Sequence, residues 1–314
     1  METVTLARHA MATRFEIVLH GENPVALRAA GEEALDEIER LEAMLSLYRP
    51  ASEVARLNAC AGREAVSVSP ELLRLLAQAQ QLSTETGGAF DLTIAPLMRC
   101  WGFMGGTGHQ PTPEDLEAAR ANVGMNLVQL NPRDFTVRFA REGVMLDFGA
   151  IGKGYAVERA VEILREAGVG SALVHGGTST ACAVGHPPDA TAWKIALERP
   201  AQDASSPALL AVVPLCDEAF SVSAVWGKSF QSGDKIYGHV MDPRTGRPVA
   251  HALLAAVVLP SATETDALST ALIVLGRVGH DQINGLRARA RTLVITREFE
   301  IVARGIDCRG SEAI

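Results

Sequence analysis

The sequence predicts an α+β fold: mixed, largely antiparallel sheets with packed helices. Helix-period segments crowd the first half of its 314 residues and short strands the second. No regular strand–helix alternation of the kind that builds a doubly wound parallel sheet is visible. Apolar residues make up 47% and charged residues 21%, which allows a large buried core. No internal repeat, low-complexity tract or obvious linker divides the chain.

Arg14–Gly21, "RFEIVLHG", reads as a strand. Asn23 and Pro24 then supply a cap and a first residue for a long helix, in which Ala34, Ile38, Leu41 and Leu45 recur on one face. Ser69–Pro70 opens a second helix that Gly87–Gly88 stops, and Thr112 caps a third that ends at Gly124. Between these two, "GFMGGTGHQPT" reads as a mobile surface loop. "FTVRFA" and "GVMLDFG" are expected to pair as strands, followed by a glycine turn, a helix from Lys153 and the strand "SALVHGG". The remainder is strand-rich, with "WKIALE", "LLAVVPL", "AFSVSA", "YGHVMDP" and "LAAVVLP", the helix "TDALSTALIVLG", and a closing hairpin in "TLVITREFEIVARG".

Composition excludes several classes of function. With 29 Lys and Arg against 37 Asp and Glu, the chain lacks the basic footprint of a general nucleic-acid binder. The five cysteines are scattered without metal spacing and read as reduced thiols. No apolar run is long enough to span a membrane. No secretory h-region or lipobox cysteine is visible, so the sequence as it stands reads as cytoplasmic, or periplasmic had a leader been removed.

Five stretches carry more polar chemistry than packing requires. "LDFGAIGKGYAV" sets Asp147 and Lys153 in a glycine turn that opens a helix, yet it matches neither GxxxxGK[ST] nor GxGxxG. It is either a phosphate-facing turn or a tight connection with an exposed lysine. "GHVMDPRTGRPV" crowds His239, Asp242, Arg244 and Thr245 into a stiff loop, in which Asp242 could instead only bond its own backbone. In "TETDALSTALIVLG", Asp266 and Thr270 lie four apart and share a helix face. Their oxygens suit a hard cation such as Mg²⁺; alternatively Asp266 caps its helix and Thr270 bonds back to a carbonyl. Asp91, in "TGGAFDLTIAPL", is a ligand contact or a cap. Met11 precedes a strand, where a methionine ordinarily fills core. His175 and His186 have no partner at diagnostic spacing and are set aside.

Taken in order from about Met11 to Gly276, "MATRFEI", "LSLYRPASEVARLN", "TGGAFDLTIAPL", "LDFGAIGKGYAVERAVEILREAG", "SVSA", "YGHVMDPRTGRPV" and "TETDALSTALIVLG" resemble the ApbE-type flavin transferases. The resemblance implies a T-fold-like single domain over 1–314, with the FAD site in the cleft should the chain form two lobes. It implies Mg²⁺-dependent cleavage of FAD, with FMN attached through a phosphoester to a Ser or Thr of a target flavoprotein and AMP released. Residue by residue, it implies that Met11, Tyr48, Ala89, Phe90, Asp91, Asp147, Lys153 and Val240 contact the cofactor. The Ala150 carbonyl, Asp266, Ser269 (through its main-chain oxygen) and Thr270 become metal ligands. His239 is the first choice for taking the acceptor's proton, with Asp242 orienting it or taking the proton itself. Two departures stand out: Thr178 where the family has Asp after Gly-Gly, and Ala224 where it has Gly after Ser. They keep open the alternative of FAD binding without turnover, and within the enzyme class hydrolysis of FAD to FMN and AMP is the rival.

Overall fold

The computed structural model describes residues 1–200, 209–233 and 235–308. Its centre is an eight-stranded sheet: β1 (Glu2–Ala10), β2 (Thr13–Gly21), β3 (Ala172–Gly176), β4 (Thr180–Val184), β5 (Ala219–Ala224), β6 (Ala252–Leu259), β7 (Arg291–Thr296) and β8 (Ile301–Arg304). Spatial order follows chain order, and every neighbouring pair is antiparallel. Two helices from the β2–β3 connection, α1 (Pro24–Leu45) and α2 (Gly152–Glu166), pack together. The β6–β7 connection supplies α3 (Ala262–Leu275) and α4 (Gly279–Leu286), also in contact. The sheet is thus two successive ββααββ units, a duplication of connectivity that the sequence does not display.

Both sheet faces are buried, and strand alternation shows how. Along β6, Ala255, Val257 and Leu259 join the core beneath the helices, while Leu254, Ala256 and Val258 face the opposite cluster. That second cluster is roofed by the hairpin of Trp193–Glu198 and Leu209–Leu215. Because α3 is packed between α2 and the sheet, it is apolar nearly all round.

The expected caps are present. Asn23 accepts from the Val25 and Ala26 amides at 3.1 Å each, Ser69 from Leu72, and Thr112 from Asp115. Gly87 and Gly88 both take positive φ where the Pro70–Glu85 helix ends.

One expectation fails. "FTVRFA" does form a strand, Thr136–Phe139, but it pairs with Val128–Asn131 and Val66–Ser67. "GVMLDFG" is irregular, because Asn58 substitutes for a partner strand: its side chain donates to the Leu146 carbonyl (3.0 Å) and accepts from the Leu146 amide (2.7 Å). The Asp147 amide then donates to the Leu92 carbonyl at 2.7 Å. The glycine-rich stretch after Trp101 is a loop whose middle, Gly105 to Thr107, is exposed as expected, while its start is anchored on a hairpin. Trp101 and Phe103 pack on Phe230, Trp101 also on Tyr237, and the His109 amide bonds back to the Trp101 carbonyl.

Candidate active site

The α2 N-terminus lies against α3, and glycine permits the approach. A Cβ on Gly154 would fall 2.2 Å from the Ala262 carbonyl oxygen and 2.6 Å from the Asp266 Cβ. The Gly154 amide donates to Asp266 Oδ2 at 2.8 Å. Asp266 therefore caps α2 across the helix interface; the cap of its own helix is Ser261, which accepts from the Glu264 amide. The other Asp266 oxygen is 3.5 Å from the Thr180 hydroxyl. One turn on, the Thr270 hydroxyl meets Ser223 at 3.1 Å, while the Ser269 hydroxyl bonds back to the Asp266 carbonyl.

These groups open onto a cavity of about 1070 Å³. It is lined by Tyr48, Ala89, Phe90, Asp91, Asp147, Ala150, Lys153, His239, Val240, Asp266 and Thr270, so eleven of the fourteen residues singled out from sequence converge there. Met11, Asp242 and Ser269 are not in the lining. Met11 takes positive φ in the β1–β2 turn. Ser269 is wholly buried. Asp242 is clamped by Arg244, whose Nε and Nη2 donate to its two oxygens at 2.9 Å each while the Arg244 amide adds a third bond. A carboxylate so engaged is held in place by its neighbour.

In the glycine turn, Asp147 accepts from the Gly149 amide at 2.8 Å, and Lys153 Nζ reaches the Gly149 carbonyl at 3.4 Å. Burial pushes the Asp147 carboxyl up from its ordinary value, against the pull of the Gly149 amide and of Lys153 and Lys228. Asp91 acts as a cap: one oxygen accepts from the Thr93 amide and hydroxyl, the other from the Met125 amide at 3.0 Å. Burial raises its carboxyl too. Tyr48 stands largely exposed beside the cavity.

On the opposite wall, His239 Nδ1 lies 3.2 Å from the Lys228 carbonyl. A carbonyl only accepts, so Nδ1 carries the proton and Nε2 is left as an acceptor. Burial, together with the charges of Lys228 and Lys153, lowers the His239 pKa and favours this neutral form.

Sequence reasoning missed several lining groups. Lys194, Trp226 and Lys228 occupy strands or loops with no local signature. His175, set aside for want of a spaced partner, also lines the cavity; its Nε2 is 3.7 Å from Glu16, its cross-strand neighbour on β2. Thr178, Ser223 and Ala224, at or beside the two departures from the family pattern, line it as well.

Among the described residues no three His, Cys, Asp or Glu side chains cluster as a metal site. The set around Asp266 is instead one carboxylate with the Thr180 hydroxyl beside it and the Thr270 hydroxyl one turn on. That composition fits a hard cation, which commonly takes one or two protein carboxylates and completes its shell with water and substrate phosphate.

An antiparallel sheet with helices on one face and a cavity lined by lysines and a buried carboxylate defines the class: an α+β protein with a cleft suited to a phosphorylated ligand. The chain belongs to the ApbE family, whose model matches residues 11–290. It is 30% identical over 285 residues to the FAD:protein FMN transferase of Haemophilus influenzae, covering 88% of this chain and 81% of that one. The protein of the same name from Treponema pallidum is 31% identical over 285 residues, covering 86% and 78%. Among solved structures, the ApbE protein of Thermotoga maritima superposes with a TM-score of 0.86 at 26% identity, with 97% of each chain covered. The flavinyl transferase ApbE of Pseudomonas stutzeri, in its apo form, gives 0.84 at 30% identity, with 97% of this chain and 95% of that one covered.

Proposed function

We propose that this chain is a Mg²⁺-dependent FAD:protein FMN transferase. The observation that carries the reading is the convergence of Asp147, Ala150, Lys153, His239, Asp266 and Thr270 on one cavity. In the proposed reaction, the hydroxyl oxygen of an acceptor Ser or Thr bonds to the FMN-side phosphorus of FAD. The bond from that phosphorus to the bridging oxygen breaks, and AMP leaves with that oxygen. The acceptor's proton passes to His239 Nε2, the nitrogen left free by the Nδ1 bond to Lys228. Lys153 and Lys228 bring positive charge to the pyrophosphate, and Tyr48 with the Ala89–Asp91 run borders the flavin.

Asp266, Thr270 and the carbonyls of Ala150 and Ser269 are the residues that would hold Mg²⁺. When bound, the ion supplies charge neutralisation to the pyrophosphate oxygens. The Asp266–Gly154 bond fixes the carboxylate before any ligand arrives, so little reorganisation is needed.

AMP release and protein-bound flavin, followed with FAD plus Mg²⁺ or EDTA and a flavoprotein acceptor, test the reading. Mg²⁺-dependent AMP matched by covalent flavin on the acceptor is expected. AMP without bound flavin would make the chain a hydrolase, and tightly bound but uncut FAD would make it a flavin binder.

A further inference from the structure

The cavity volume, about 1070 Å³, lies just above the ~300–1,000 Å³ usual for a pocket that holds one small molecule. Part of it borders the strand Trp193–Glu198, whose residues Lys194 to Glu198 all contribute to the lining. That strand pairs only with Leu209–Leu215, and among the described residues no other strand pairs with its outer edge.

The partner strand's sequence shows which backbone groups that edge carries. Lys194 stands opposite Pro214, which has no amide hydrogen, so that pair cannot exchange backbone bonds. Arg291 donates to the Pro214 carbonyl from the far side, at 3.0 Å, as an outward-facing carbonyl requires. Bonded pairs alternate with unbonded ones, so Ile195 and Leu197 bond inward across the hairpin. The amide and carbonyl of Lys194 and of Ala196 therefore point away from it. Exposed edges are usually blunted by charged side chains, and Lys194 and Glu198 could serve only that purpose. What sets this edge apart is its place in the cavity that Asp266, Thr270 and His239 also line.

We propose that the outer edge of Trp193–Glu198 receives the Ser/Thr-bearing segment of the acceptor protein as an added β-strand. This rests on the transferase reading. A protein substrate must deliver a hydroxyl to a phosphorus deep in a cleft, and an extended segment is the slimmest way to do so. Backbone pairing to Lys194 and Ala196 gives affinity with little demand on sequence. The opposite charges of Lys194 and Glu198, four residues apart, favour a segment acidic at one end and basic at the other.

Ala196→Pro removes one outward amide without touching a bond inside the hairpin. The acceptor source is a lysate of cells lacking the gene for this chain, and attached flavin is read as a fluorescent band after denaturing electrophoresis. The variant is expected to label the band about tenfold more slowly, the scale of one lost backbone bond left unsatisfied. Its FAD affinity, followed by flavin fluorescence, stays within about twofold of wild type. Undiminished labelling would overturn the proposal, as would a parallel loss of FAD affinity in a folded variant, which would give the edge to FAD. Should the variant fail to fold, amide exchange on the wild-type chain decides: protection at Lys194 and Ala196 on adding the purified band protein supports the edge, and none overturns it. Absence of any band with the wild-type chain removes the transferase reading and this proposal together, which is distinguishable from a loss in the variant alone.

Discussion

The two walls of the cavity are built differently. The helical wall is the junction of α2 and α3, where Asp266 is 4% exposed and is held by the Gly154 amide. Gly154 has no room for even a methyl group. The opposite wall is made of loops and a hairpin: Trp226 is 47% exposed, Lys228 is exposed, and His239 hangs from a single carbonyl. On the first wall, packing that stabilises the fold also holds the Asp266 carboxylate proposed to bind the metal. On the second, the polar groups are carried by elements that contribute little to the core. Substitutions should therefore cost fold and activity together on the helical wall, and activity alone on the other.

The largest effect is expected at His239. His239→Gln should leave the denaturant midpoint unchanged and slow flavin transfer by about 10²–10⁴, the usual contribution of a positioned base. The pH profile sharpens the assignment. Burial and two lysines lower this imidazole's pKa, so its base form survives below the ordinary ~6.5. Activity should fall only when pH drops through that lowered value. Stability moves with it: the unfolded chain binds the His239 proton more readily, so the folded state loses ground as pH falls below ~6.5. An acid limb at or above the ordinary histidine value would assign the base elsewhere.

Asp266 comes next, and two substitutions separate its tasks. Asp266→Asn keeps an oxygen for the Gly154 amide but removes the charge; stability should hold while Mg²⁺-dependent AMP release falls about 10²-fold. Asp266→Ala also orphans the buried Gly154 amide, adding about 1–3 kcal/mol of destabilisation in denaturant titration. Equal stability of the two variants would show that the cross-helix bond contributes nothing. Gly154→Ala tests the same junction from the other side. Its new methyl must push against a backbone carbonyl, costing about 1–3 kcal/mol with AMP release reduced in step.

The same contrast explains what could be read from sequence. Asn23, Ser69 and Thr112 mark helix starts because capping is local chemistry, and all three were legible. Asp266 and Thr270 were legible as a pair because helical spacing puts them on one face. That Asp266 caps a different helix was not, since its bond to Gly154 spans 112 residues. "GVMLDFG" was misread because Asn58, 88 residues away, satisfies a backbone that would otherwise need a strand. Lys194, Lys228 and His175 reach the cavity through hairpin placement and sheet register, and neither leaves a mark in local spacing.

The smallest effect is expected at Asp242, and it separates the two candidate bases. Its carboxylate is paired with Arg244, whose side chain is 40% exposed, so solvent screens the pair and its worth to stability is below ~1 kcal/mol. Asp242→Asn keeps an oxygen that can accept from the Arg244 amide, which preserves the turn. With His239 as base, the variant should transfer flavin within about threefold of wild type, the remainder reflecting a looser Met241–Val249 loop. With Asp242 as base, the loss would match that of His239→Gln and the acid limb would move with the substitution. Steady-state transfer at several pH values distinguishes these outcomes. The geometry favours the first, because a carboxylate already accepting three bonds from Arg244 has less capacity for a fourth proton donor than an imidazole nitrogen with no partner among the described residues.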